Sequence, residues 1–421
     1  MRTEDHPLRP RVVVIGAGAA GTMAAIFAAT GGAETLLLER TADGGRKILI
    51  SGGGRCNVLP LRVDESRFLT DSSPHTMRRM LRAWPLAEQR AFFEEEAGIA
   101  LVDEVEDLKV FPASHRAREV RDGLLALARA RGAQVRMGAH VLDVRPAGAQ
   151  WEVLVADAKP LAADAVILAC GGLSVPATGS DGTGLRIAAQ LGHAMHETYA
   201  ALTPVLAPTS PFTALAGISL TVTITAHSAA RRATATGGFL FTHRGYSGPS
   251  VLDVSHVLVR AQADGDASAG LTVRWTALHE KDWARALRPQ GAKTVLGALR
   301  AELPDRLAAV LLEVAQVDPA RSLAELRREE RLRLIETLVR GALPWSGDES
   351  YKKAEVTGGG VSLAGIDVRT MESRTHPGLY LCGEMLDAFG PIGGYNFHWA
   401  WATGRAAGIA AARSLRGPGA A

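Results

Sequence analysis

The chain has 421 residues, with 47% hydrophobic and 22% charged side chains and a net charge of +3. That composition excludes a disordered chain and allows a core spread over two or three domains. Three cysteines without a CxxC spacing exclude a disulfide scaffold or zinc ribbon, no apolar stretch approaches the about 18 residues of a membrane span, and no dense basic run points to a nucleic-acid partner. Residues 1–11 are charged and lack the apolar segment of a secretion signal, so a cytoplasmic location is expected. Glycine is in excess, and 24 of the 45 glycines fall in residues 16–54, 171–184 and 358–394.

Residues 11–15 (RVVVI) read as a buried strand running into Gly16-Ala17-Gly18-Ala19-Ala20-Gly21. An alanine-rich helix follows over 22–30, then a strand over 34–38 that ends in Glu39. This strand–GxGxxG–helix–strand–acid order is that of a dinucleotide-binding fingerprint. Gly16 permits a tight turn, Gly18 lets backbone approach a pyrophosphate, and Gly21 lets helix and strand pack closely. Ala19 and Ala20 open the helix, whose N-terminus offers unpaired N–H groups to phosphate. Glu39 stands 18 residues past Gly21, placed to bind a ribose diol. The fingerprint does not choose between FAD and NAD.

Residues 44–57 (GGRKILISGGGRCN) hold five glycines in fourteen positions. So much glycine suits a loop that brings backbone N–H groups to a flat or anionic ligand. With Val58, the run GRKILISGGGRCNV resembles the signature of the BaiN-like flavoproteins, also described as aminoacetone-oxidase-like or as NAD(P)/FAD-dependent oxidoreductases. The resemblance implies FAD, with this loop running along the pyrophosphate toward the isoalloxazine. It places Arg40, Arg46, Ser51, Gly52, Gly53, Cys56 and Asn57 against the cofactor, with Lys47 and Arg55 on its phosphate or supporting flavin charge. Cys56 itself reads as a buried, inert thiol.

Helical patterns run over 74–97, and Ser114 is the expected cap of a helix ending at Arg131. Residues 109–112 (KVFP) resemble the family's VFP turn. Strands near 134–137, 140–145, 151–156 and 165–169 look like the meander of related flavoproteins, which puts the backbone of Val141 at the adenine. The strand end Ala169-Cys170-Gly171 is small enough for backbone to approach the cofactor. Residues 178–184 (TGSDGTG) lead into a helix reaching Leu191.

From about residue 199 the pattern changes. The alternation at 220–225 (LTVTIT), with similar runs at 238–242 and 271–275, predicts an antiparallel β module over 199–278. Residues 279–345 carry helical periodicity, and strand character resumes over 352–356. A strand at 379–382 precedes Gly383, Glu384 and Asp387, then Gly393-Gly394-Tyr395-Asn396 and an alanine-rich helix over 399–414. The run GLYLCGEMLDAFGPIGGYNFHWAWATG resembles the family's closing signature. It implies Gly383 with Glu384 or Asp387 on the ribityl chain, and N–H groups of 393–396 on the flavin's pyrimidine edge. Cys382 and His398 depart from the family's usual residues.

The resulting fold is α/β. A Rossmann-like FAD-binding domain of glutathione-reductase type comprises 1–198 and 358–421. Into it are inserted an antiparallel β-barrel-like domain (199–278 and 346–357) and a helical subdomain (279–345). Residues 241–249 (FTHRGYSGP) resemble the family's FTHxGxSGP turn. There His243 and Arg244 are candidates to bind an anionic or carbonyl substrate and supply a proton, with Tyr246 and His398 as further catalytic candidates. No second strand–GxGxxG–helix unit is present, so NAD(P)H is a transient donor or the substrate reduces the flavin directly. No metal is expected. The expected activity is that of an FAD-dependent oxidoreductase on a small organic substrate, by enone reduction or by amine or aminoketone oxidation. A non-catalytic flavin-binding regulator or scaffold is the alternative, and oligomeric state is left open.

Overall fold

Strand β1 (Val12–Ile15) is four apolar residues buried on both faces, the pattern of a central parallel strand. The computed structural model describes residues 12–415; the expected first strand residue Arg11 and the charged segment 1–11 lie outside them. Residues up to Thr198 and those from Val356 onward form one compact unit, and Tyr199–Glu355 form the other.

In the first unit, β1 leads to helix α1 (Ala19–Thr30) and strand β2 (Thr35–Leu38). The glycine-rich stretch is not a plain loop. It folds into helix α2 (Arg46–Ile50) followed by a tight turn over Ser51–Gly54. Gly45 caps α2 in the left-handed region at φ 58°, where a Cβ would lie 2.5 Å from Cγ of Arg121. Helix α3 (Ala117–Ala130) is N-capped by Arg116 rather than Ser114, whose hydroxyl accepts from the Arg116 N–H at 3.2 Å and shapes the approach.

Strands β3 (Gln134–Arg136) and β7 (Ala165–Leu168), expected in the meander, instead join the main sheet. Each residue of β7 is buried, which only a covered strand allows. The meander is β4 (Val141–Ala147), β5 (Gln150–Val155) and β6 (Leu161–Ala163). Helix α4 (Thr183–Gln190) and strand β8 (Met195–Ala201) complete this part of the chain.

In the second unit a seven-stranded antiparallel sheet is built around β9 (Ser219–His227), β10 (Arg232–Thr242), β11 (Gly245–Ser247) and β12 (Gly270–Arg274). Its end strands, Gly341–Ala342 and Gly347–Asp348, do not pair with each other among the described residues, so the sheet stays open where a barrel-like closure was expected. The segment expected to be all strand also carries helix α5 (Pro249–Ala263), whose Val251, Val254, Val257 and Leu258 are buried in the same core as Val222, Ile224, Phe239 and Val273. Helices Glu280–Ala286, Val295–Leu299, Asp305–Val314 and Arg328–Arg340 occupy the helical segment.

Where strand was expected at 352–356, the chain forms a short helix, Ser350–Lys353. Strand β13 (Val356–Val361) then pairs with β8 rather than with the seven-stranded sheet. Strand β14 (Leu379–Leu381) completes the main parallel sheet, in the order β14–β7–β1–β2–β3. The last helix, α6 (Tyr395–Ser414), starts one turn earlier than expected. It lies backbone to backbone on α1: Cβ atoms on Gly404 and Gly408 would each fall 2.3 Å from a carbonyl oxygen, that of Ala20 and that of Ala24. Among the described residues, no helix is long and apolar enough to cross a membrane.

Candidate functional site

The three glycines of the first turn have different reasons. A Cβ on Gly21 would lie 1.8 Å from the Gly16 carbonyl oxygen, and one on Gly16 would lie 2.6 Å from that of Ala169. Chain packing explains both. Gly18 has φ −80° and ψ −167°, open to any residue, and nothing of the protein lies within 4 Å of where its Cβ would be. No packing demand within the described residues accounts for its bareness. Gly18 is also the N-cap of α1, with no side-chain cap and no acid in the first turn. The N–H groups of Ala19 and Ala20 and the positive helix end therefore face that open space. A pyrophosphate is the group this arrangement fits.

Glu39, 7% exposed, ends β2. Its Oε2 accepts from the Ala17 N–H at 2.8 Å, and its Oε1 from the N–H and hydroxyl of Thr41 at 2.8 and 2.7 Å. Three donors fix the carboxylate beside the phosphate turn, where a ribose would lie. Ala169, Cys170 and Gly171 follow β7 next to Gly16, and burial pushes the Cys170 thiol up to about 12. Val141 opens β4 and is buried. Arg40 pairs with Asp181, and Arg46 with Asp43 at 2.6 Å.

In the second glycine turn, Gly52 and Gly53 are exposed and Gly53 has open space at its Cβ position. The Ser51 hydroxyl donates to the Ile48 carbonyl at 2.7 Å. Arg55 lies 4.1 Å over the Phe111 ring and pairs with Glu104 at 2.6 Å. Cys56 is fully buried and desolvation pushes its thiol up to about 12, so it stays protonated and inert. The Asn57 amide, oriented to satisfy both ends, donates to the Leu59 carbonyl and accepts from the Gly394 N–H, each at 3.0 Å. That bond ties the glycine turn to the start of α6.

The C-terminal motif differs from expectation in where its acids point. Glu384 turns into the protein: Oε2 pairs with Lys47 Nζ at 2.6 Å, and Oε1 accepts from the N–H and hydroxyl of Thr357 at 3.0 Å and from Ser174. Lys47 also donates to Ser174 at 2.6 Å. Asp387 is 2% exposed and accepts from the Ser72 N–H and hydroxyl at 2.7 Å and from Thr70 at 2.9 Å. His196 Nε2 lies 3.5 Å from that carboxylate and 3.1 Å from the Ser72 oxygen. Both acids therefore brace the walls of the site. Ser72, Ser174, His196 and Thr357 carry no local signal in the sequence, because they meet Glu384 and Asp387 only after folding.

Tyr395 and Asn396 also use their side chains on the protein. Asn396 closes the turn by accepting from the Gly390 N–H at 2.9 Å and donating to its carbonyl at 3.0 Å. The Tyr395 hydroxyl accepts from the Asp64 N–H at 3.3 Å. What residues 393–396 have left for a ligand is backbone N–H at the start of α6 other than that of Gly394, which Asn57 takes. Gly394 must be glycine there: φ is 86°, and a Cβ would sit 2.4 Å from the Leu59 carbonyl carbon. Gly383, at φ 77°, likewise has Cβ space only 2.7 Å from Ala20.

His398 is 3% exposed, its Nδ1 has no partner among the described residues, and burial lowers it to about 4, so it is neutral. In the second unit, His243 and Arg244 are exposed at the turn between β10 and β11, with Arg244 3.4 Å from Glu349. Tyr246 is 1% exposed, hydrogen-bonded to Ser210 at 3.0 Å, and pushed up to about 12 by burial. It belongs to the core beside Phe239. Among the described residues, no group of His, Cys, Asp and Glu side chains could hold a metal ion.

A family model described as the HI0933-like protein Rossmann domain matches residues 10–410. The chain is 32% identical over 403 residues to the ribosomal RNA dihydrouridine synthase of Escherichia coli (strain K12), covering 93% of this chain and 95% of the relative. It is 31% identical over 412 residues to the 3-dehydro-bile acid delta(4,6)-reductase of Clostridium scindens, covering 96% and 99%. It is 32% identical over 417 residues to the ribosomal RNA dihydrouridine synthase of Haemophilus influenzae, covering 95% and 98%.

Proposed function

The chain belongs to the HI0933-like Rossmann-domain family of FAD-dependent oxidoreductases, and from that premise we propose that it reduces a carbon–carbon double bond conjugated to a carbonyl, namely C5=C6 of a uridine within RNA. One observation carries this reading: near-full-length relatives with different named substrates share one chemical change. Dihydrouridine is uridine saturated at the bond conjugated to its C4 carbonyl. A delta(4,6)-reductase of a 3-dehydro substrate saturates a bond conjugated to a ketone. The enone branch of the expected activity is thus favoured over amine oxidation.

Bound FAD supplies the hydride for such a step. The open space over Gly18 and the N-terminus of α1 hold its pyrophosphate, and Glu39 its ribose. In this reading the start of α6 faces the pyrimidine edge, where a positive helix end favours negative charge. NAD(P)H is the proposed donor, bound transiently, since the chain has one fingerprint only. Saturating the bond also needs one proton at the carbon next to the carbonyl. Of the four candidates, His243 and Arg244 are the exposed pair, and we assign them the proton and the carbonyl or phosphate contact. Tyr246 and His398 are buried, which favours the exposed pair.

The test is anaerobic incubation of the yellow protein with NADPH or NADH and ribosomal RNA, followed by nucleoside mass spectrometry. Uridine gaining two hydrogens is the expected result. A second reading, a free small enone, is favoured by the match covering 99% of the bile acid reductase. Loss of enone absorbance with a 3-oxo-4,6-diene, and no change in RNA, would establish that reading instead.

A further inference from the structure

The sheet of the second unit turns its apolar side to α5 and shows a different chemistry on the other. Strand register places Thr223, Thr225 and His227 of β9 opposite Thr236, Thr234 and Arg232 of β10, with Arg274 and Thr272 of β12 on the flank. Cross-strand hydroxyl pairs join Thr223 to Thr236 at 2.8 Å and Thr225 to Thr234 at 2.9 Å. Thr223, Thr225, His227, Arg232, Thr272 and Arg274 line a cleft of about 480 Å³.

The strands themselves bring charge of one sign to this face, with Glu280 and Glu336 at its edge. None of β9, β10 and β12 contains an acidic residue. Arg274 donates to Thr223 at 3.1 Å and contacts the His279 ring at 2.9 Å, with no carboxylate partner among the described residues. Arg232 has no ion pair among the described residues. Arg340, at the cleft's edge, is already neutralised by Glu336 and Glu280. The protein's net charge follows the same division. The second unit has 19 basic and 16 acidic residues, whereas the rest of the chain has 28 of each.

Hydroxyls and guanidinium groups free of carboxylates, without an aromatic side chain, suit a sugar–phosphate backbone, not stacked bases. The row of Arg274 and the row of Arg232 are four residues apart along β9, about 14 Å, so the face is longer than a single phosphate needs. We propose that this face docks the RNA whose uridine is reduced, with Arg232 and Arg274 on phosphates and the threonine rows on phosphate and ribose oxygens. The proposal rests on the RNA reading above, and assigns the binding of RNA to a surface without base recognition.

The experiment is anisotropy of a fluorescein-labelled ribosomal RNA transcript titrated with the FAD-loaded protein over a range of salt. In the R232E/R274Q variant, affinity should fall at least about tenfold and the slope of log K against log[salt] should lose about 1.4–1.8, the share of two phosphate contacts. The visible flavin spectrum and NAD(P)H consumption without RNA should not change. Should the double variant melt early, the exposed R232E change alone keeps the test, with about half the loss of slope. Unchanged affinity and slope would overturn the docking face while leaving the RNA reading intact. If the wild-type protein neither binds RNA nor forms dihydrouridine, the RNA reading falls and the docking face falls with it.

Discussion

Gly18→Ala separates a glycine kept for folding from one kept for a ligand. At φ −80° and ψ −167°, alanine is unstrained, and no protein atom lies within 4 Å of the added methyl. Restricting the unfolded chain stabilises by about 0.4–1 kcal/mol, and alanine at an N-cap costs a similar about 0.5–1 kcal/mol. The apoprotein should therefore melt within about 0.5 kcal/mol of wild type. The methyl occupies the space assigned to the pyrophosphate, and one extra carbon in a close contact costs about 1–3 kcal/mol. At about 2 kcal/mol, FAD binds about 30-fold more weakly. With FAD at about 100 times the wild-type Kd, ligand stabilisation drops from about 2.7 to about 0.9 kcal/mol. Flavin fluorescence titration and denaturant melts with and without FAD measure both terms. Gly21→Ala is the contrast: its Cβ would lie 1.8 Å from the Gly16 oxygen, so the apoprotein itself should weaken. A Gly18→Ala protein that binds FAD as tightly as wild type would refute the reasoning.

Other expectations follow from the same geometry. Gly408→Ala should destabilise the first unit by about 1–3 kcal/mol in urea, because the added Cβ meets the Ala24 carbonyl oxygen at 2.3 Å; helix propensity alone predicts a gain of about 1 kcal/mol, so the sign decides. Cys56 should resist alkylation at pH 8.5 in the folded protein and react on unfolding, since burial pushes its thiol up to about 12; rapid labelling in the native state would count against a buried thiol. His398 is lowered from 6.5 to about 4, so it is neutral when folded, and the unfolded chain takes up the proton first as pH falls. Its stabilising share is full above pH 6.5 and fades toward pH 4, a change of up to about 3 kcal/mol. In H398Q, stability followed by flavin release should lose that much less between pH 7 and pH 4, and a curve parallel to wild type would refute the assignment.

The first sixty residues were legible because their signals are local: four apolar residues, a spaced glycine turn, an alanine helix and an acid at the right distance. The family resemblance drawn from residues 44–58 agrees with the family match over 10–410. Helix α2 was missed because glycine dominates its flanks and its five residues make little more than one turn. Helix α5 had a signal, Pro249 at its first turn and apolar residues at spacings of three and four, but its valines suit strands equally well. The turned-in acids could not be read at all. Ser72, His196 and Asp387 are separated by 124 and 191 positions in sequence, and only the crossing of three segments makes them neighbours. The same holds for Arg232 and Arg274, which share a face through strand register. A search for basic runs along the chain therefore passes over both.

The glycine seam between α1 and α6 has a consequence for the order of events during synthesis. The first unit is assembled from both ends of the chain, and its sheet lacks β14 and helix α1 lacks the α6 side of its packing until residues near Gly408 have left the ribosome. The second unit is one continuous stretch, Tyr199–Glu355, and can fold while translation continues. Flavin uptake is therefore expected late: a ribosome stalled before Gly404 should hold a folded second unit and a first unit that takes up no cofactor.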